Sequence, residues 1–158
     1  MFRDMRRHHQ AVSPDQCRQI LTEAKRAVLS VLGDDGYPYG VPVNFIYDQE
    51  TDTIYIHSAK VGHKIDAIRA CDKVCFTTWD EGFRKDGDWA WFVTSVIAMG
   101  KAELVDDIQL TTEKVRELGR KYYPSADEVE VQIRHAIDQV QLIAIHIEHL
   151  TGKQIHEK

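Results

Sequence analysis

Residues 27–57, AVLSVLGDDGYPYGVPVNFIYDQETDTIYIH, constrain the fold more than any other stretch of the chain. Three short runs rich in β-branched and aromatic residues are separated by clusters of polar and glycine residues, the pattern of strands joined by turns. The first, Ala27–Leu32, stops at Gly33-Asp34-Asp35-Gly36, a hairpin signal. The second, residues 37–47, carries Pro38 and Pro42, which lack the N–H that a ladder needs, so it belongs at an irregular or edge position. A turn over residues 48–52 follows and residues 53–57 return. The pattern predicts a three-stranded antiparallel meander.

The rest of the chain adds helices at both ends of that unit. Ser13-Pro14-Asp15 ahead of residues 16–25 is a helix start, with Ser13 to cap free amides and Pro14 suited to the first turn. Cys17, Ile20, Leu21 and Ala24 then recur on one side. Residues 64–70 predict a short helix with Ile65 and Ile68 inward; residues 73–79 predict a strand. A polar loop over 80–88 leads to one long strand over 89–103, or two with a bend near Gly100. Two amphipathic helices come next, separated by Pro124: Ile108, Val115, Leu118 and Tyr122 line one, and Val129, Ile133, Ala136, Ile137 and Val140 the other. Residues 142–150, LIAIHIEHL, read as a closing strand. Strands in hairpin order, one helix between them and two late define an α+β chain, a small closed or half-closed antiparallel barrel with peripheral helices.

At 158 residues the chain suits one domain, residues 1–158, and is too short for two of ordinary size. No apolar run approaches the roughly 18 residues of a membrane span, and the basic segment MFRDMRRHHQ has no apolar stretch behind it, so no membrane association and no secretory signal are expected. Three cysteines (Cys17, Cys71, Cys75) fit a reducing cytoplasm better than a disulfide framework. A net charge of −5 weighs against a nucleic-acid partner.

The chemistry concentrates in HSAKVGHK, residues 57–64, where a strand ends in small and basic residues and a helix begins. Such a corner leaves backbone N–H groups unpaired and pointing one way. Ser58 adds a hydroxyl, Gly62 permits close approach, and Lys60, His63 and Lys64 add positive charge. The same residues suit either a phosphate site or an ordinary solvated turn. His146 and His149, three apart on a strand, are expected on opposite faces, and Cys71 and Cys75 lack zinc spacing, so no metal site is expected. Ser30, Ser58 and Ser95 lack an elbow sequence, and there is no Walker or G-x-G-x-x-G loop. Residues 37–45, YPYGVPVNF, expose backbone groups that a planar heterocycle could satisfy, or form a bulged edge strand stiffened by proline.

The ordered runs GYPYGVPVNFIYD, IYIHSAKVGHKIDAI, KVCF and GKAELV resemble the pyridoxamine 5′-phosphate oxidase-like FMN-binding split barrels, in particular the branch related to nitroimidazole resistance proteins. The resemblance runs from about Arg6 to Lys153, and HSAxxGHK is its most specific part. It implies an antiparallel split barrel forming a homodimer, with FMN at the subunit interface. On that resemblance Ser58, Lys60, His63 and Lys64 surround the ribityl phosphate, the backbone of Pro42, Val43 and Asn44 meets the polar edge of the ring, and His57 lies beside the ring as the candidate catalytic residue. Trp89 and Trp91 either reach the partner's flavin or fill their own core. No counterpart of the pyridoxamine phosphate oxidases' C-terminal arginine- and histidine-bearing segment is visible in TGKQIHEK. The implied activity is therefore reduction of small electron-poor compounds such as nitroaromatics; a flavin carrier or sensor without turnover, or an oxidase of the pyridoxamine phosphate type, are the alternatives.

Overall fold

The computed structural model describes residues 1–157. Ser13 caps helix α1 (Pro14–Glu23): its side chain accepts from the Gln16 N–H while Gln16 answers to the Ser13 N–H. The strands are β1 (Ala27–Leu32), β2 (Pro38–Val43), β3 (Ile46–Asp48), β4 (Thr53–Ala59), β5 (Lys73–Trp79), β6 (Phe92–Val105) and β7 (Val140–His156). Helix α2 (His63–Ala70) joins β4 to β5; α3 (Ile108–Tyr122) and α4 (Ala126–Ala136) lie between β6 and β7. All strand pairs are antiparallel, in the order β2-β1-β5-β6-β7-β4-β3.

That order overturns the three-stranded meander. β2 pairs with β1 and β3 with β4, but the run expected as one strand over 37–47 breaks at Asn44-Phe45, and its halves become the two opposite edges of the sheet. β4 returns not to β2 but to β7, pairing Thr53 with His146 through to Ala59 with Val140. Because two residues connect the edges, the sheet curls until those edges meet at one corner, yet no ladder among the described residues joins β2 to β3. The result is an α+β fold whose barrel-like sheet carries a slit.

Alternation along the strands sorts the core into two layers. Leu29, Val31, Phe45, Ile54, Ile56, Phe76, Val96, Ala98, Ile143 and Ile145 fill the inside of the curl, closed at its ends by Cys17 and Leu21 of α1 and Ile65 and Ile68 of α2. Ile46, Tyr55, Leu118, Leu142 and Ala144 form a second layer on the outer face, beneath α3. The buried stripe of α3 differs from the expected one. Thr111, Lys114 and Leu118 are buried while Ile108 is 55% exposed. β6 is one long strand with a bulge at Met99/Gly100, where Met99 pairs with His149 but Gly100 with Ile147. That extra residue in β7 brings His146 and His149 onto one face, beside Lys101 and Met99, and so corrects the expectation that they part. The closing strand is also longer than expected, reaching His156.

Candidate functional site

The slit is built by two lips of chain. One is the free edge of β2, which among the described residues pairs only with β1; the other is the end of β4 beyond its pairing with β3, continuing into α2. The register that sets Ile46 opposite Tyr55 would, if continued, set Asn44 opposite His57 and Pro42 opposite Ala59. No ladder forms there. At about 3.3 Å per residue the lip from Tyr39 to Asn44 is roughly 16 Å long. All eight residues singled out from the sequence fall on these two lips: Pro42, Val43 and Asn44 on one, His57, Ser58, Lys60, His63 and Lys64 on the other.

At one end of the slit the chain turns from β4 into α2 through Gly62, whose φ of +127° is strained for any L side chain and which has open space around it. Gly62 carries no side-chain cap; its carbonyl accepts from the Ile65 and Asp66 N–H groups, and the first-turn amides of His63 and Lys64 point out of the helix. Lys60 is exposed and Lys64 partly so. Uncapped amides, a hydroxyl at Ser58 and two lysines form a donor set that suits a phosphate. His63 closes this end: its ring stacks on Tyr39 at 4.2 Å, and its Nε2 lies 3.4 Å from the Asp34 N–H at the β1–β2 turn.

At the other end lies a cavity of about 690 Å³ between α3, α4 and the outer face of the sheet, and of the eight singled-out residues only His57 and Asn44 line it. His57 stands on the face of β4 opposite Ile56, as its alternation requires, and opens to solvent through the cavity. Crowding by the cavity walls, and after it the Lys64 ammonium, hold the His57 pKa below its ordinary value, so the imidazole is neutral at pH 7. The Asn44 Oδ1 accepts from Arg26 Nη1 at 3.1 Å, which fixes its amide.

Three residues of this region were not visible in the sequence. The Tyr122 hydroxyl accepts from the Phe45 N–H and donates toward the Phe45 and Lys25 carbonyls, each at 3.0 Å, so α3 pins the two-residue link where the sheet edges meet. Arg26 lies over the Tyr122 ring at 5.7 Å. Lys121 Nζ sits 4.1 Å from the Phe45 ring centroid, and burial, with Lys25 nearby, lowers its pKa to about 8. Their partners are far apart in sequence, with no local motif to mark them. Trp89 and Trp91 are 73% and 43% exposed, so they do not fill their own subunit's core.

An antiparallel sheet split between its own consecutive strands, with a basic corner at one end of the slit, defines a class of fold, and the sequence agrees with it. A profile of the pyridoxamine 5′-phosphate oxidase family matches residues 13–154, and the chain belongs to that family. Among solved structures it is similar to a candidate 5-nitroimidazole antibiotic resistance protein from Bacteroides thetaiotaomicron, with 22% identity, 93% of this chain and 87% of that one covered, and a TM-score of 0.76. It is similar also to a conserved hypothetical protein from Mycobacterium tuberculosis, with 15% identity, 95% and 90% covered and a TM-score of 0.79. An FAD-binding protein from Mesorhizobium loti aligns with 22% identity, 92% and 96% covered and a TM-score of 0.67. A search of curated proteins finds no match.

Proposed function

We propose that this chain is an FMN-binding flavoprotein, working as a homodimer, that reduces small electron-poor compounds such as nitroaromatics. One observation carries the reading: a single slit has phosphate-suited donors at one end and a neutral histidine, a fixed amide and an apolar cavity at the other. Ser58, Lys60, His63 and Lys64 would hold the phosphate, the β2 edge at Pro42, Val43 and Asn44 would meet the polar rim of the ring, and His57 would stand beside the ring. The bound flavin would supply the electron chemistry; the chain's part is to bind, orient and supply a proton. Charge for one terminal phosphate favours FMN over FAD. The FAD-binding neighbour makes FAD the reading to test against it.

The experiment is a titration of the purified protein with FMN and with FAD, followed by rapid mixing of the chemically reduced protein with a nitroimidazole. Tight FMN binding and rapid reoxidation are expected. Failure to bind FMN would remove the central claim, whereas binding without reoxidation would leave a flavin carrier or sensor.

A further inference from the structure

The cavity beyond His57 has a character of its own. Gly119 of α3 meets Val129 of α4 so closely that a Cβ there would lie 2.5 Å from Val129 Cγ1. From that contact a wide apolar chamber opens over the outer face of the sheet. Val115, Leu118, Val129, Ile133, Ile137 and Val140 provide its walls. Its charged lining residues are two carboxylates, Asp127 and Glu128, on the exposed first turn of α4, and no lysine or arginine among the described residues lines it. An anion entering would lose hydration against apolar walls and meet two like charges, while the neighbouring cations adjoin the lining without being part of it: Arg26 is bonded to the Asn44 amide and Lys64 lies near His57. A neutral planar molecule would lose little and bury apolar surface, and a cationic one would lose hydration that pairing with Asp127 and Glu128 offsets.

We infer that this chamber is the acceptor site, and that it selects neutral or cationic apolar ring compounds and rejects carboxylated ones. The inference rests on the flavin reading for its place in a reaction, because His57 and Asn44 are shared between slit and chamber and would bring a ring in each into contact. The chamber as a binding site stands without it. A ligand of the selected class would enter past Asp127 and Glu128 and rest against Ile133 and Ile137, with its reactive end toward His57.

The test is isothermal titration of the flavin-loaded protein with three matched ligands: 4-nitroacetophenone, 4-nitrobenzyltrimethylammonium and 4-nitrobenzoate. The neutral and cationic compounds are expected to bind at least tenfold more tightly than the benzoate. Ile137→Trp, or Gln132→Trp at the exposed rim should the first fail to fold, should weaken both by tenfold or more while FMN affinity stays unchanged. Asp127→Asn with Glu128→Gln should narrow the discrimination against benzoate several-fold. Benzoate binding as tightly as the neutral compound, or filled variants binding normally, would overturn the inference. Should the protein bind no flavin, N-phenyl-1-naphthylamine and its sulfonated analogue decide the matter on the flavin-free chain: preference for the neutral probe, lost in the filled variant, supports the chamber, and no preference overturns it. Where the protein does bind FMN, displacement of the neutral probe from the flavin-free chain by FMN would also overturn it, by making the chamber the seat of the flavin.

Discussion

His57 stands at the junction of slit and chamber, so in the proposed reductase its replacement should separate binding from turnover. His57→Ala should leave FMN affinity nearly intact and slow acceptor reduction by about 10²-fold, the low end of proton-transfer catalysis. Because its folded pKa lies below the ordinary value, the protonated imidazole accumulates only at acid pH; a rate that depends on this proton should rise as pH falls through that lowered pKa, and the rise should vanish in the variant. A variant that keeps its flavin and the normal rate returns His57 to a structural role. At the opposite end of the slit, Ser58→Ala and Lys64→Ala should each weaken FMN by about 1–3 kcal/mol, or roughly 5- to 150-fold, in a titration. Unchanged affinity in both would put the phosphate elsewhere. These residues were legible in the sequence because they are neighbours in one motif. Tyr122 was not, since it reaches Phe45 across 77 positions and looks like one more apolar residue on a helix face.

Among the elements, α3 is held to the sheet by a contact that periodicity does not anticipate. Lys114 occupies the centre of the buried stripe, its side chain 7% exposed, with its Nζ 3.0 Å from Asp48 Oδ2 on β3 and 3.2 Å from Glu117 Oε1. Burial alone would depress the lysine, but Asp48 and Glu117 outweigh it and raise its pKa to about 12; burial likewise opposes the Asp48 carboxylate, and Lys114, with the Glu50 and Thr51 N–H groups, outweighs that and lowers its pKa. Lys114→Met should strand the half-buried carboxylate and cost about 3–5 kcal/mol, at about 2–4 °C of melting temperature per kcal/mol. The sign with pH follows from both shifts. Asp48's contribution is full above the ordinary carboxylate pKa of about 3.9 and fades as pH falls through its lower folded value; Lys114's is full below about 10.4 and fades as pH rises through about 12. The gap between native and variant in urea midpoints should therefore be flat between those limits and shrink outside them; a gap that persists at acid pH would assign the loss to packing alone. Elements were legible wherever a period or a turn signal was local, as in β1, α1 and β5. The pairing of β4 with β7 was not, because nothing in residues 53–57 indicates a partner more than eighty positions away.

Taken as a whole molecule, the fold covers its surfaces unequally. Helix α3 shields the outer face of β3, β4 and the start of β7, with α4 packed against α3 across the chamber, while α1 and α2 close the ends of the curl. Among the described residues no helix covers the outer face of β1, β5 and β6. There Leu32, Trp79, Ile97 and Met99 are between 38% and 51% exposed, with Val28, Ser30, Cys75 and Thr77 between them. Apolar strand faces of this kind are covered in most proteins, and a two-fold mate is the commonest cover. Trp89 and Trp91, exposed beside the same sheet, would then project toward the mate and the slit it carries. Sedimentation at micromolar concentration should show a dimer. Ile97→Glu with Met99→Glu should shift it to a monomer, because two carboxylates per subunit would have to be buried against their symmetry copies. If the flavin lies at the interface, the same variant should lose FMN affinity although none of the slit residues has changed. A native protein that sediments as a monomer while still holding its flavin would remove the interface, and the flavin site would then have to be complete within one chain.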